Sequence, residues 1–262
     1  MDKKRPIGIF DSGVGGLTVV SETRKILPDE NIIYLGDTAR VPYGAKSRET
    51  LIGYGRDIMR FLLGKNVKAI IAACGTVSSN AYDVLTAEFD IPLIDVIRPG
   101  VKACLDINAE RIGFIATEAT VRSGVFVNLI REKKPGADIQ ARACPLFVPL
   151  AEEGFADSVV TRLVADIYIA DWKNKIDTLV LGCTHYPLLI PALRDIVGGV
   201  TFINMAEYTA RAARALLSEN GLLNDQKTEP AYTFYVSGAS DKFDRMVKTV
   251  MGRAYPAEKV DL

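Results

Sequence analysis

The sequence predicts an α/β fold of two pseudo-symmetric lobes, each a mostly parallel sheet flanked by helices, with a functional site in the cleft between them. Short apolar runs alternate with helical patterns along the chain of 262 residues, which is typical of parallel sheets. Two stretches of the chain also recur roughly 105 residues further on. A cysteine occupies the same place in both copies of one stretch, which favours a true internal repeat.

Nine short runs are the predicted strands. Most are rich in Val, Ile, Leu and Phe, and their length suits a buried strand better than a helix. They cover residues 6–10, 32–35, 69–73, 93–96, 111–115, 138–143, 178–181, 201–203 and 232–236.

Apolar residues spaced three and four apart predict helices between these strands. Leu51 and Leu62 belong to one such face, and the same spacing recurs over residues 160–168 and 243–250. Ser47 is a suitable N-cap for the first of these helices, because its hydroxyl can accept from a free backbone N–H.

The internal repeat predicts how the chain divides. The stretch 5–13 resembles the one that starts at residue 110, and the stretch 67–76 resembles the one that starts at residue 176. The similar spacing of both pairs indicates two homologous halves.

We expect the first lobe to comprise residues 1–97 plus 207–262, and the second lobe to comprise residues 98–206. In this division the last segment of the chain packs back on the first half. Each lobe then carries one of the two repeated cysteines, and the active site lies in the cleft between them.

Charge and hydropathy exclude several classes of function. Lys+Arg and Asp+Glu are both 32, and this balance argues against a nucleic-acid partner, which needs a basic face. No apolar run approaches the roughly 18 residues of a membrane span, and the N-terminus lacks the pattern of a signal peptide. We therefore expect a cytoplasmic protein with neither a membrane nor a nucleic-acid partner.

The four cysteines contain no Cys-x-x-Cys pair, so we expect no disulfides in a reducing compartment. A single histidine, His185, excludes the usual histidine-based zinc spacings, and we expect no metal. We expect Cys104 and Cys144 to be structural.

Cys74 and Cys183 each follow an apolar strand and precede a helical pattern. Ligands of parallel sheets bind beyond the carboxyl ends of the strands, and a helix N-terminus there would favour a thiolate. The alternative is that both are small buried apolar side chains. Two thiols facing each other across a cleft suit the inversion of a carbon that bears a hydrogen. That reaction needs a base on one face and an acid on the other.

Five segments in order resemble the glutamate racemases, cofactor-independent members of the aspartate/glutamate racemase superfamily. They cover the chain nearly end to end, and they are residues 7–19, 36–44, 73–76, 143–154 and 182–188. His185 after the second cysteine favours glutamate as substrate, because aspartate racemases of the superfamily carry an acidic residue there.

The resemblance implies a role for each matching residue. Cys74 and Cys183 match the two catalytic bases, with Asp11 assisting the first and His185 assisting the second. The implied substrate-binding residues are Asp11, Ser12, Tyr43, Gly44, Gly75, Thr76, Thr117, Thr184 and His185. Two further acidic residues near the site have no assigned role, and these are Asp37 and Glu152.

The residues alone leave other interpretations open at these positions. The segment 11–13 also fits a strand-to-helix turn, and residues 43–44 also fit a surface turn. Glu152 equally fits a solvated loop carboxylate.

One position departs from the family pattern. Gly75 stands where the family usually has Asn after the first cysteine. The glycine N–H could donate instead, and a water could fill the space left by the amide.

Three hypotheses of function follow. The resemblance implies an isomerase that needs no cofactor, supplies D-glutamate for peptidoglycan and forms a homodimer. Gly75 keeps open a racemase of another small acid such as aspartate. A non-catalytic amino-acid-binding protein on the same fold is the third hypothesis, and the retention of both cysteines argues against it.

Overall fold

The strands of the computed structural model form two separate sheets, and all their pairings are parallel. The structure describes residues 2–226, 228–239 and 241–262. The strands in those residues are β1 (Ile7–Asp11), β2 (Ile32–Gly36), β3 (Ala69–Ala72), β4 (Leu93–Asp95), β5 (Arg111–Ala116), β6 (Asp138–Ala143), β7 (Thr178–Leu181), β8 (Thr201–Asn204), β9 (Tyr232–Val236) and β10 (Ala257–Lys259).

Helices flank both sheets. They are α1 (Leu17–Ile26), α2 (Arg48–Gly64), α3 (Gly75–Asn80), α4 (Tyr82–Glu88), α5 (Ile97–Asp106), α6 (Glu118–Ser123), α7 (Val125–Lys133), α8 (Phe147–Glu152), α9 (Val159–Ile169), α10 (Ile190–Val197), α11 (Met205–Glu219) and α12 (Asp241–Met251). Short 3₁₀ turns cover Tyr43–Ala45, Ala170–Trp172 and Tyr186–Leu189. None of the helices in the described part of the chain is long and apolar enough to span a membrane.

The two sheets repeat one strand order. The larger sheet runs β10-β9-β2-β1-β3-β4, and the smaller runs β6-β5-β7-β8. Strands β1 to β4 therefore occupy the same relative places as β5 to β8. The predicted α/β class with two parallel sheets is confirmed, and the shared order supports the predicted repeat. The lobe boundaries at residues 97 and 206 stay a prediction.

The nine predicted strands lie within one residue of observed strands at each end. The tenth strand, β10, was not predicted. Its residues Ala257–Lys259 are only three, carry two charges and are partly exposed at the edge of the larger sheet. Such a segment has no apolar run, and its pairing with β9 determines its conformation.

N-cap hydrogen bonds fix the starts of two predicted helices. The Ser47 hydroxyl accepts from the backbone N–H of Thr50 at 3.3 Å and caps α2, and Leu51 and Leu62 on that helix are buried. Ser158 caps α9 in the same way, accepting from the N–H of Thr161 at 3.2 Å.

One apolar core joins the two sheets. It contains Ile9 of β1 and Phe114 of β5, and between them Leu17 of α1, Val101 of α5 and Leu217 of α11. Burying these side chains together fixes how the two sheets face each other.

The C-terminal segment completes the larger sheet. Strand β9 pairs with β2, and the ring of Phe243 on α12 packs against Phe234 of β9 at a centroid distance of 5.6 Å. This packing anchors α12 to the half of the molecule that carries β1.

Candidate active site

Asp11 ends β1 and organises the turn into α1. Its Oδ2 accepts from the backbone N–H groups of Gly13 at 3.2 Å and Gly16 at 3.0 Å. Its Oδ1 is buried without a hydrogen-bond partner. Burial raises the pKa of Asp11, while the charge of His185 lowers it. The turn interpretation is thus correct, and one carboxylate oxygen is still free for a ligand.

Cys74 directly follows β3 and precedes α3. Its Sγ donates to the Ser12 hydroxyl at 3.5 Å. Burial, together with the negative charge of Asp11, raises the pKa of the Cys74 thiol to about 12, and backbone N–H groups lower it less. The backbone N–H groups at this helix start lower the pKa of the thiol, as the sequence suggests, but desolvation outweighs them.

Cys183 directly follows β7 and Gly182, at the equivalent place in the smaller sheet. Its Sγ lies 3.8 Å from Nδ1 of His185, and Nε2 of His185 lies 3.2 Å from Oε1 of Glu152. Burial lowers the pKa of His185, but the contacts with Cys183 and Glu152 and the charge of Asp11 raise it to about 10. An imidazolium therefore lies beside the second thiol at neutral pH.

Glu152 holds the other side of this imidazolium. Burial raises the pKa of Glu152, but His185 and Lys242 lower it to about 2. Its Oε2 accepts from Nζ of Lys242 at 2.8 Å. Glu152 is therefore a paired carboxylate of the site and not a solvated loop residue.

Asp37 holds the Tyr43 hydroxyl by a hydrogen bond outside the cavity. The carboxylate is fully buried and accepts from the Tyr43 phenol, from the Ser237 hydroxyl at 2.6 Å and from Nε of Arg40. Burial and the charge of Asp37 raise the pKa of Tyr43, so the phenol stays neutral. Tyr43 is thus a fixed wall of the site rather than a surface turn.

A row of hydroxyls crosses from one sheet to the other. Oγ1 of Thr76, just after Cys74, lies 2.9 Å from Oγ1 of Thr117 at the end of β5. Thr117 in turn lies 2.9 Å from Oγ1 of Thr120. Thr120 is a buried member of this row that the sequence did not single out.

One cavity of about 410 Å³ brings these residues together. A cavity of this size suits a small ligand. The residues chosen from the sequence that line it are Asp11, Ser12, Tyr43, Gly44, Cys74, Gly75, Thr76, Thr117, Glu152, Cys183, Thr184 and His185. Asp37 does not line it.

Two glycines set how closely the halves approach. A Cβ on Gly75 would lie 2.6 Å from the carbonyl oxygen of Gly182, and one on Gly15 would lie 2.4 Å from Oγ1 of Thr184. The backbone of Gly182 therefore leaves no room for a Cβ at position 75. The Thr18 hydroxyl of α1 also connects the two halves, because it donates to the carbonyl of Thr184 at 2.9 Å.

Besides Thr120, the sequence missed Lys242, which lines the cavity, and Gly15, which packs closely against Thr184. Gly15 belongs to a run of glycines that hinted at close packing, whereas Lys242 carried no local signal. Cys104 and Cys144 are free and buried, and they do not line the cavity. In the described part of the chain, no group of three or more His, Cys, Asp or Glu could hold a metal ion.

Two parallel-sheet halves, each presenting one thiol to a shared cavity, are the arrangement expected of an α/β isomerase that works with two bases. The profile of the family described as Asp/Glu/Hydantoin racemase matches residues 18–213. The chain is 47% identical over 255 residues to a glutamate racemase from Chlorobaculum tepidum, covering 96% of this chain and 94% of that one. The chain therefore belongs to the Asp/Glu/hydantoin racemase family, and its relatives are the glutamate racemases of that family.

Solved structures of glutamate racemases are also similar to this chain. A glutamate racemase from Francisella tularensis in complex with D-glutamate matches with a TM-score of 0.92 and 39% identity, covering 99% of this chain and 98% of that one. A glutamate racemase isoform from Bacillus anthracis matches with a TM-score of 0.94 and 34% identity, with the same coverage of 99% and 98%. The resemblance stated from the sequence is confirmed.

Proposed function

We propose that this chain interconverts L- and D-glutamate by direct proton transfer between the α-carbon and two thiols. The observation that carries the proposal is that Cys74 and Cys183, from equivalent strand ends of the two sheets, line one cavity of about 410 Å³. Inversion of a carbon acid needs an acid and a base on opposite faces, and two equivalent thiols supply both.

The two thiols differ in their surroundings. Sγ of Cys183 lies 3.8 Å from Nδ1 of His185, while burial and the charge of Asp11 raise the pKa of the Cys74 thiol and keep its proton in place. Cys183 would take the α-proton of L-glutamate, forming a thiol and a carbanion. Cys74 would then give its proton to the opposite face, leaving D-glutamate and a thiolate.

The remaining groups suit an amino acid. The free Oδ1 of Asp11 can accept from the substrate ammonium. The hydroxyls of Thr76 and Thr117, and backbone N–H groups at strand ends, can hold carboxylates without a large basic patch. The reaction as proposed needs no cofactor.

The test is a circular-dichroism assay with L-glutamate and then D-glutamate, without added cofactor. The enzyme is first dialysed against a chelator and treated with a carbonyl reagent. We expect racemisation in both directions and little activity on aspartate. Activity that returns only with pyridoxal phosphate or a metal would overturn the mechanism, and faster turnover of aspartate would overturn the substrate.

We also propose that the protein is a homodimer that joins through α9. This helix exposes an apolar stripe of Val159, Leu163 and Ile167, with exposed fractions of 71%, 61% and 79%. In an antiparallel pair of α9 helices, Arg162 of one copy would lie near Asp166 of the other. Sedimentation should give a dimer, and Leu163→Glu should dissociate it. A wild-type monomer would refute the proposal.

Cytoplasmic location and D-glutamate supply for peptidoglycan belong to the same proposal. Four free cysteines support a reducing compartment. Expression of the chain should let a bacterium that requires D-glutamate grow without it, and Cys74→Ala should not. Failure of the wild-type chain to support growth, with racemase activity present, would refute the cell-wall role.

A further inference from the structure

We propose that Lys242 is a positioning residue that holds Glu152 against His185 and so keeps positive charge beside Cys183; this rests on the proposed function. A continuous set of contacts leads from the ammonium to the thiol. Nζ of Lys242 lies 2.8 Å from Oε2 of Glu152, whose Oε1 lies 3.2 Å from Nε2 of His185. Nδ1 of the same ring lies 3.8 Å from Sγ of Cys183.

The contact joins the two halves of the molecule. Lys242 is the second residue of α12, whose Phe243 packs on Phe234 and Tyr34 of the larger sheet. Glu152 ends α8, which lies between β6 and β7 of the smaller sheet in the chain. Because α12 is anchored away from Glu152, the ammonium approaches the carboxylate from the opposite wall of the cavity, which it lines.

The geometry gives each carboxylate oxygen of Glu152 one cationic neighbour. The side chain of Glu152 is 15% exposed, so few waters can replace a lost partner. Without the Lys242 ammonium, Oε2 of Glu152 would turn toward solvent to be hydrated. This movement would carry Oε1 of Glu152 away from the His185 imidazole. Lys242 also lies 3.3 Å from Glu153, which restrains the lysine side chain at the site.

The neighbouring Arg245 provides a matched control. It is on the same helix, and among the described residues its guanidinium forms one ion pair, with Glu153 at 3.8 Å, and none with Glu152. Replacing Arg245 with Met removes a cation from the same end of α12 without touching the contacts that lead to Cys183.

The first test measures thiol reactivity and does not depend on racemisation. Iodoacetamide labels the native enzyme, and mass spectrometry follows Cys74 and Cys183 separately. Lys242→Met should slow alkylation of Cys183 roughly two- to five-fold, the range expected from a half-exposed ion pair, and leave Cys74 unchanged. Lys242→Arg keeps the positive charge, so Cys183 should be alkylated at the wild-type rate in this variant. Equal slowing in Arg245→Met, or an unchanged rate in Lys242→Met, would overturn the proposal.

The second test measures catalysis. Lys242→Met should lower kcat with KM nearly unchanged, and it should increase the primary isotope effect with α-deuterated L-glutamate, because transfer to Cys183 becomes slower. Since L- and D-glutamate have equal free energies in water, kcat/KM should fall by one factor in both directions. A change confined to KM would make Lys242 a substrate-binding residue and overturn the proposal.

A double variant tests whether Lys242 acts through Glu152. In the Glu152→Gln background, Lys242→Met should have no further effect on alkylation or kcat. A full additive effect would overturn the proposal. A wild-type enzyme that fails to racemise glutamate, yet shows the expected alkylation pattern, would count against the proposed function and not against the role of Lys242.

Discussion

Placing a side chain at Gly75 should push the two catalytic loops apart. Gly75 is the first residue of α3, next to Cys74, and the Cβ of any replacement would lie 2.6 Å from the carbonyl oxygen of Gly182. Gly182 precedes Cys183, so the obstacle is backbone beside the second thiol and cannot rotate away.

The size of the effect follows from that distance. Ordinary contact begins at 3.4 Å, so the Gly182 carbonyl must retreat by about 0.8 Å. A misplacement of about 1 Å can cost roughly 100-fold in rate, so we expect kcat to fall roughly 30- to 100-fold. Overpacking costs about 1–3 kcal/mol, partly offset by the better helix propensity of Ala, which is about 1 kcal/mol.

The assay compares Gly75→Ala with Gly75→Asn by circular dichroism and by thermal unfolding. Ala adds only the Cβ, whereas Asn also adds an amide that can reach the substrate. We expect both variants to lose kcat, and only Asn to lower KM. Gly53→Ala is the matched control, because a Cβ at this helical glycine meets nothing within 4 Å.

The reasoning fails if Gly75→Ala keeps the wild-type kcat and thermal midpoint. That result would mean that the loop after β7 shifts by 0.8 Å at no cost. Wild-type activity in Gly75→Asn, with a lower KM, would also contradict the close contact and favour a space that the Asn amide can occupy.

Three further predictions follow. In heavy water, Cys74→Ala should not racemise glutamate but can slowly exchange the α-hydrogen of L-glutamate. Cys183→Ala should likewise fail to racemise and should exchange the α-hydrogen of D-glutamate only. Racemisation near the wild-type rate in either variant would refute the two-thiol mechanism. Because the pKa of His185 is raised from 6.5 to about 10, its contribution to folding is complete below pH 6.5 and is lost as pH rises through 10. The thermal midpoint should fall across that window, and His185→Gln should lack this slope. Asp37→Asn should raise KM and destabilise the fold by about 1–3 kcal/mol, because a buried hydrogen-bond network loses an acceptor; an unchanged KM would show that the Tyr43 phenol needs no such support.

The sequence by itself determined the strands and the two thiols. Apolar runs marked most of the nine predicted strands within one residue, because burial on both faces demands continuous apolar side chains whatever the rest of the chain does. The edge strand β6 (Asp138–Ala143) is the exception, since none of its residues is buried. A parallel sheet carries the carboxyl ends of its strands to one edge, so Cys74 and Cys183 could each be placed at a ligand-binding edge from their strand positions, and the internal repeat suggested that the two edges face each other. The role of Asp11 came from the family resemblance.

Only the tertiary structure decided how those groups behave. The raised pKa of the Cys74 thiol depends on desolvation and on the charge of Asp11, which comes from the end of another strand. Lys242 is 90 residues from Glu152, and no local pattern links them. The tight contact at Gly75 likewise depends on how two sheets dock. Local sequence patterns follow from the period of a helix or strand. The distances between groups far apart in the chain follow from packing across the molecule, so they cannot be predicted from any short segment.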